Sequence, residues 1–101
     1  MATLASRVRV NDDVLFQELQ GEAVLLNLKS GVYFGLDPVG TRIWHLLAEL
    51  RSTEAAMPHL LREFDVDEKQ LRADLEALVA QLLAKRLLIA AEVQPESRPL
   101  T

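Results

Sequence analysis

The chain has 101 residues, half of them hydrophobic, with no cysteine and a formal charge of −4. This is one domain's worth of chain with enough apolar side chains for a core, and it excludes disulfides and thiolate metal sites. The acidic balance argues against nucleic acid as the main partner, because phosphate-binding surfaces are basic; no apolar run approaches the ~20 residues of a membrane span, and residues 1–9 lack a signal-peptide core, so a cytoplasmic protein without a membrane partner is expected.

Strand patterns come first. Val14 to Leu19 is a β-favouring run. Gln20-Gly21 follows as a tight hairpin turn. Glu22 to Leu28 is the second predicted strand, apolar on both faces through Ala23, Val24, Leu25, Leu26 and Leu28, and therefore central. Lys29-Ser30-Gly31 is the next turn, with Gly31 suited to a left-handed position. Val32 to Leu36 is the third predicted strand. Its alternation puts Val32, Phe34 and Leu36 on one face, and Tyr33 and Gly35 on the other.

Helices follow. Asp37-Pro38 combines a capping carboxylate with a proline at a tolerant position, so a helix is expected from there to about Leu50. Its buried stripe would be Val39, Ile43, Trp44, Leu46, Leu47 and Leu50. Gly40 weakens that helix by ~1 kcal/mol relative to Ala, and is read as allowing close packing against the sheet. Ser52 or Thr53 caps a second helix that ends near Phe64, with Pro58 inside it as a late start or a kink. Asp67 and Gln70 form a start resembling a capping box for a third helix, Glu68 to about Lys85. Leu71, Leu75, Leu78 and Leu82 form one stripe of it, flanked by Val79 and Leu83; Ala73, Ala77, Ala80 and Ala84 form a second. Leu87-Leu88-Ile89 is a short strand or packs back on the core. Residues 1–92 are expected to form the domain, and residues 93–101 a disordered tail. The fold class is α+β: a three-stranded antiparallel sheet followed by three helices, the composition of a winged helix-turn-helix.

No catalytic constellation emerges. His45 and His59 have no Cys, Asp or Glu partners at metal-binding spacing, and a zinc site needs three or four convergent ligands. Neither a metal nor a cofactor is expected. The four serines lie in the N-terminal arm, a turn, a cap and the tail, outside any nucleophile elbow. The four glycines are too scattered to cradle phosphate. A DNA-reading helix would present Arg, Lys, Asn or Gln to base edges. In the third helix Lys69, Arg72, Lys85 and Arg86 are offset by Glu68, Asp74 and Glu76. The remaining feature is the edge of the third strand, uncharged and free of proline from Val32 to Leu36. Such an edge is a template for a further strand. An added peptide, the third helix, or a second copy in a homodimer are all able to cover it.

Residues 22–44, with the run Gly31-Val32-Tyr33-Phe34-Gly35-Leu36-Asp37-Pro38-Val39-Gly40 at their centre, resemble the core of the PqqD-like family, also called precursor-peptide recognition elements. Phe64-Asp65-Val66 before a long Leu-rich helix ending in Leu87-Leu88 is similar too, and the resemblance spans about residues 8–90. It implies a non-catalytic, winged-helix-like domain. Such a domain binds the leader of a ribosomally synthesised precursor and presents it to a maturation enzyme, a leader peptidase or another modifying enzyme. The leader would add as a strand beside Val32, Tyr33, Phe34, Gly35 and Leu36. On the third helix, Leu71, Asp74, Leu75, Leu78 and Val79 would face it. The central run looks more like stand-alone members of lasso-peptide clusters than like those serving pyrroloquinoline quinone synthesis or radical enzymes. Lys85-Arg86 stands where many relatives carry Gly. A winged-helix DNA-binding regulator is the alternative from another class.

Overall fold

The computed structural model describes residues 7–90. Among these residues five strands and three helices run in the order β1 (Val8–Val10), β2 (Val14–Leu19), β3 (Glu22–Asn27), β4 (Tyr33–Leu36), α1 (Pro38–Leu50), α2 (Thr53–Glu63), α3 (Glu68–Ala84) and β5 (Leu88–Ala90). Strands β2, β3 and β4 form the expected antiparallel meander, with β3 central and β4 at an edge. The architecture is α+β, a three-stranded sheet followed by three helices.

Local chemistry explains the turns and caps. Gln20 and Gly21 both take positive φ, 55° and 82°, as a two-residue hairpin requires to match strand twist. Asp37 accepts the Gly40 N–H at 2.7 Å and caps α1, Ser52 caps α2 through Ala55 N–H, and Asp67 caps α3 through Gln70 N–H. Pro58 sits inside α2. A Cβ on Gly40 would lie 3.2 Å from Leu36 Cδ2 and 3.2 Å from Asp37 Oδ1. The glycine therefore lets the start of α1 close onto the end of β4.

The core lies between the inner face of this sheet and the three helices. Ala23, Leu25 and Leu36 meet Ile43, Trp44, Leu46 and Leu47 of α1, Met57 and Leu60 of α2, and Leu71, Leu75, Val79 and Leu82 of α3. Phe16 stacks on Trp44 at 6.5 Å and meets the His45 ring edge-on at 5.3 Å.

Three expectations are corrected. Val39 is not part of the buried stripe of α1: it is 40% exposed in the first turn of the helix, where it lines a surface hollow instead of the core. Leu28 and Val32 fall outside the strands, in the turn where Asn27 Oδ1 accepts the Lys29 and Ser30 N–H groups. An additional strand, β1, had no counterpart among the expected elements. It pairs antiparallel with β5, Val8 opposite Ala90 and Val10 opposite Leu88, so residues 88–90 are a strand. As expected, α3 ends close to Lys85: its last residue is Ala84, with Lys85 as its cap. Arg86 then turns at φ 57°, and its carbonyl accepts both Asn11 Nδ2 and Asn27 Nδ2, at 2.7 and 3.0 Å. Those two bonds hold a non-glycine residue in the left-handed region, where glycine is the easier choice. The tail expected over residues 93–101 lies outside the described residues.

Candidate functional site

Among the described residues, strand β4 pairs with β3 on one side only. The bond from Asn27 N–H to Val32 O at 2.8 Å sets the phase of the ladder. In an antiparallel pair, hydrogen-bonded and non-hydrogen-bonded positions alternate. With Phe34 opposite Leu25 and Leu36 opposite Ala23, those two direct their backbone groups at β3. Tyr33 and Gly35 therefore direct theirs at the free edge. The strand that carries the edge is short, uncharged and proline-free, and nothing in its sequence blocks a further strand.

Below that edge runs a hollow of about 570 Å³, lined by Phe34, Gly35, Leu36, Asp37, Val39, Gly40, Ile43, Asp74, Leu78 and Gln81. Its apolar surface comes from β4, from the first turns of α1, and from Leu78. Polar groups are Asp37, Asp74 and Gln81. A second hollow of about 590 Å³ continues past Gly35, Leu36 and Asp37 to Leu19, Gln20 and Glu22 at the β2–β3 turn. At the opposite end, Lys85 Nζ lies 5.8 Å from the centroid of the Phe34 ring. An open, mostly apolar trough beside an unpaired strand edge suits an extended chain, whose backbone bonds to the edge while alternate side chains enter the trough.

The structure divides the residues expected at this site. Phe34, Gly35, Leu36, Asp74 and Leu78 come together around the trough. Tyr33 lies on the same strand but on the outer face of the sheet, where it is 72% exposed beside Leu15, Val24 and Leu26. Val32 precedes the strand, in the turn. Leu71, Leu75 and Val79 do not line the trough. They are 4%, 1% and 0% exposed and belong to the core. The reason is rotation of α3: the core takes the stripe Leu71, Leu75, Val79 and Leu82, and the neighbouring stripe Asp74, Leu78 and Gln81 faces the trough. The sequence-based selection contains neither Gln81 nor the α1 wall formed by Val39, Gly40 and Ile43. The i, i+4, i+7 spacing of residues 74, 78 and 81 was a usable signal once that rotation was known.

Each histidine meets one charged side chain. His45 Nε2 meets Glu18 Oε1 at 2.8 Å, and His59 Nδ1 meets an Arg62 guanidinium nitrogen at 3.2 Å. Among the described residues no group of three or more His, Cys, Asp or Glu side chains is placed to hold a metal ion. No described helix is long and apolar enough to cross a membrane. On α3, Arg72 is engaged by Glu54 at 3.2 Å and by Glu68 at 3.8 Å.

The family model described as "Coenzyme PQQ synthesis protein D (PqqD)" matches residues 22–88. Among solved structures, the chain is similar to TbiB1, determined in complex with the TbiA(beta) leader peptide. The two are 36% identical, with a TM-score of 0.77 over 84% of this chain and 99% of that one. It is also similar to a lasso peptide synthetase B1 complexed with the leader peptide, at 23% identity and a TM-score of 0.74 over 83% of this chain and 99% of that one. At that identity the second likeness speaks for the fold alone. No curated protein matches the chain. A family model that spans everything from β3 to the start of β5, together with a 36% identical relative matched over nearly its whole length, shows the lineage of this fold: the chain belongs to the PqqD family.

Proposed function

We propose that this protein is a leader-peptide adaptor, without turnover of its own, for a ribosomally synthesised precursor of the lasso-peptide type. It would hold the leader along β4 and present the precursor to a maturation enzyme such as a leader peptidase. The observation that carries this reading is the unpaired β4 edge above an apolar trough. Support comes from the 36% identical relative, whose structure is a leader-peptide complex. Tyr33 and Gly35 would supply the backbone bonds. Phe34, Leu36 and Leu78 would receive the side chains that point inward.

Calorimetric titration of the purified chain with the leader of a precursor encoded beside its gene tests this directly. Micromolar or tighter binding is expected, in the absence of any other protein. No binding to such a leader would overturn the proposal. A second copy of the chain is the rival occupant of the edge. That arrangement predicts a dimer which the leader dissociates, visible by sedimentation.

A further inference from the structure

The trough carries charge at both ends, and the two ends differ in sign. Lys85 stands over Phe34, at the beginning of β4 and just past the end of α3. Asp37 follows the other end of β4, about 10 Å further on at ~3.3 Å per residue. Asp74 lies on α3 about 16 Å of helix rise before Lys85. Because Lys85 anchors one end of both elements, Asp37 and Asp74 share the other end. Both line the trough, and Glu22 lies in the hollow that extends it on that side. Among the described residues, Asp37 uses one carboxylate oxygen on the Gly40 N–H and keeps the other uncommitted. Asp74 accepts only the Gln70 side-chain amide, at 2.9 Å. No basic residue lines the trough itself.

Resting on the adaptor reading above, we infer that the trough selects its peptide by charge order: a basic side chain opposite Asp37 and Asp74, and an acidic side chain opposite Lys85. The separation follows from geometry. The charged ends are ~10 Å apart along the strand and ~16 Å along the helix, so an extended segment between them covers about 13 Å, or four residues. An even number is also required, since only alternate side chains of a strand face the trough. The ligand class is therefore an otherwise apolar, extended peptide with a Lys or Arg four positions from an Asp or Glu. Groups at this exposure are screened by salt, so the selectivity weakens at high ionic strength.

The test is a random twelve-residue peptide library displayed on phage and panned against the full chain. Enrichment of a basic and an acidic residue four apart is expected. One selected peptide, made synthetically with a fluorescein label, should bind about tenfold more tightly than its version with Gln at both charged positions. The double variant Asp74→Lys with Lys85→Glu should abolish that preference and bind the charged peptide no better than the neutral one, while melting like the parent chain. The milder Asp74→Asn should reduce the difference without abolishing it. Equal binding of the charged and neutral peptides by the parent chain would overturn the charge reading and leave the adaptor reading standing. Failure of any peptide to be selected, together with failure to bind a leader, would overturn both.

Discussion

Asn27 shows how much one side chain contributes to this fold. It is 3% exposed at the end of β3. Its amide nitrogen donates to the Arg86 carbonyl, and its oxygen accepts the Lys29 and Ser30 N–H groups. It joins the β3–β4 turn to the exit of α3, two places 59 residues apart. Replacing it with Ala leaves the Lys29 and Ser30 N–H groups without that acceptor and the Arg86 carbonyl with Asn11 alone, and a loss of about 2–3 kcal/mol is expected in urea unfolding. The Arg42–Glu63 pair is a different case. It is a fork of two bonds at 2.7 and 2.6 Å between α1 and α2. The hydrogen bond from Arg42, and then its charge, hold the Glu63 carboxyl below the ordinary glutamate range. A lowered folded-state value means that the pair's contribution is present above the unfolded value and is lost as pH falls through the folded one. Titration followed by NMR should place the Glu63 midpoint below that of an exposed glutamate. Glu63→Gln should flatten the acid limb of the stability curve without altering it near neutrality by more than a surface pair's share. Neither role was legible in the sequence, because both partners are far apart along the chain.

At the scale of elements, β4 and α3 decide the site. Gly35→Pro removes one backbone donor from the free edge and none from the β3–β4 ladder, since Gly35 directs its N–H outward. Proline is tolerated at such an edge position. The domain should still fold, as read by circular dichroism, while leader affinity falls by at least tenfold. Unchanged affinity would show that the peptide does not pair there. On α3, Leu78→Ala should weaken binding more than it weakens the fold, because Leu78 is only partly buried and lines the trough. Leu75→Ala should do the reverse: it lies fully in the core and should cost about 2–5 kcal/mol in stability. The hairpin turns, the caps and the helix spans were all readable from local chemistry: Gln20-Gly21, Asp37-Pro38, Ser52 and Asp67 each act over three or four residues. The division of α3 into a core stripe and a trough stripe was not. Leu78 belongs by spacing to either of two adjacent leucine-rich stripes, Leu71-Leu75-Leu78-Leu82 or Leu71-Leu75-Val79-Leu82, which differ only in rotation about the axis, and packing against α2 and β5 sets that rotation.

For the whole molecule, the pairing of β1 with β5 joins the two ends of the described chain. Val8, Leu87 and Leu88 are buried beneath it, and Arg7 bridges to Ser52 at the entry to α2. Leu88→Ala should therefore destabilise the entire domain by about 2–5 kcal/mol, read as a single lowered transition in thermal unfolding. Three-residue strands have too little pattern to be recognised in isolation, which is why β1 escaped notice and residues 87–89 stayed ambiguous. The amino-acid sequence by itself determined the α+β class, the meander of β2, β3 and β4, the three helix starts, and the lack of any cysteine. These depend on periodicity, turn chemistry and composition, all local. Only the tertiary structure decided that Leu71, Leu75 and Val79 belong to the core, that Val39, Ile43 and Gln81 join the trough, and that Lys85 and the Asp37–Asp74 pair stand at its opposite ends. Those facts depend on how one helix is rotated and laid beside an unpaired strand, and long-range packing sets that arrangement.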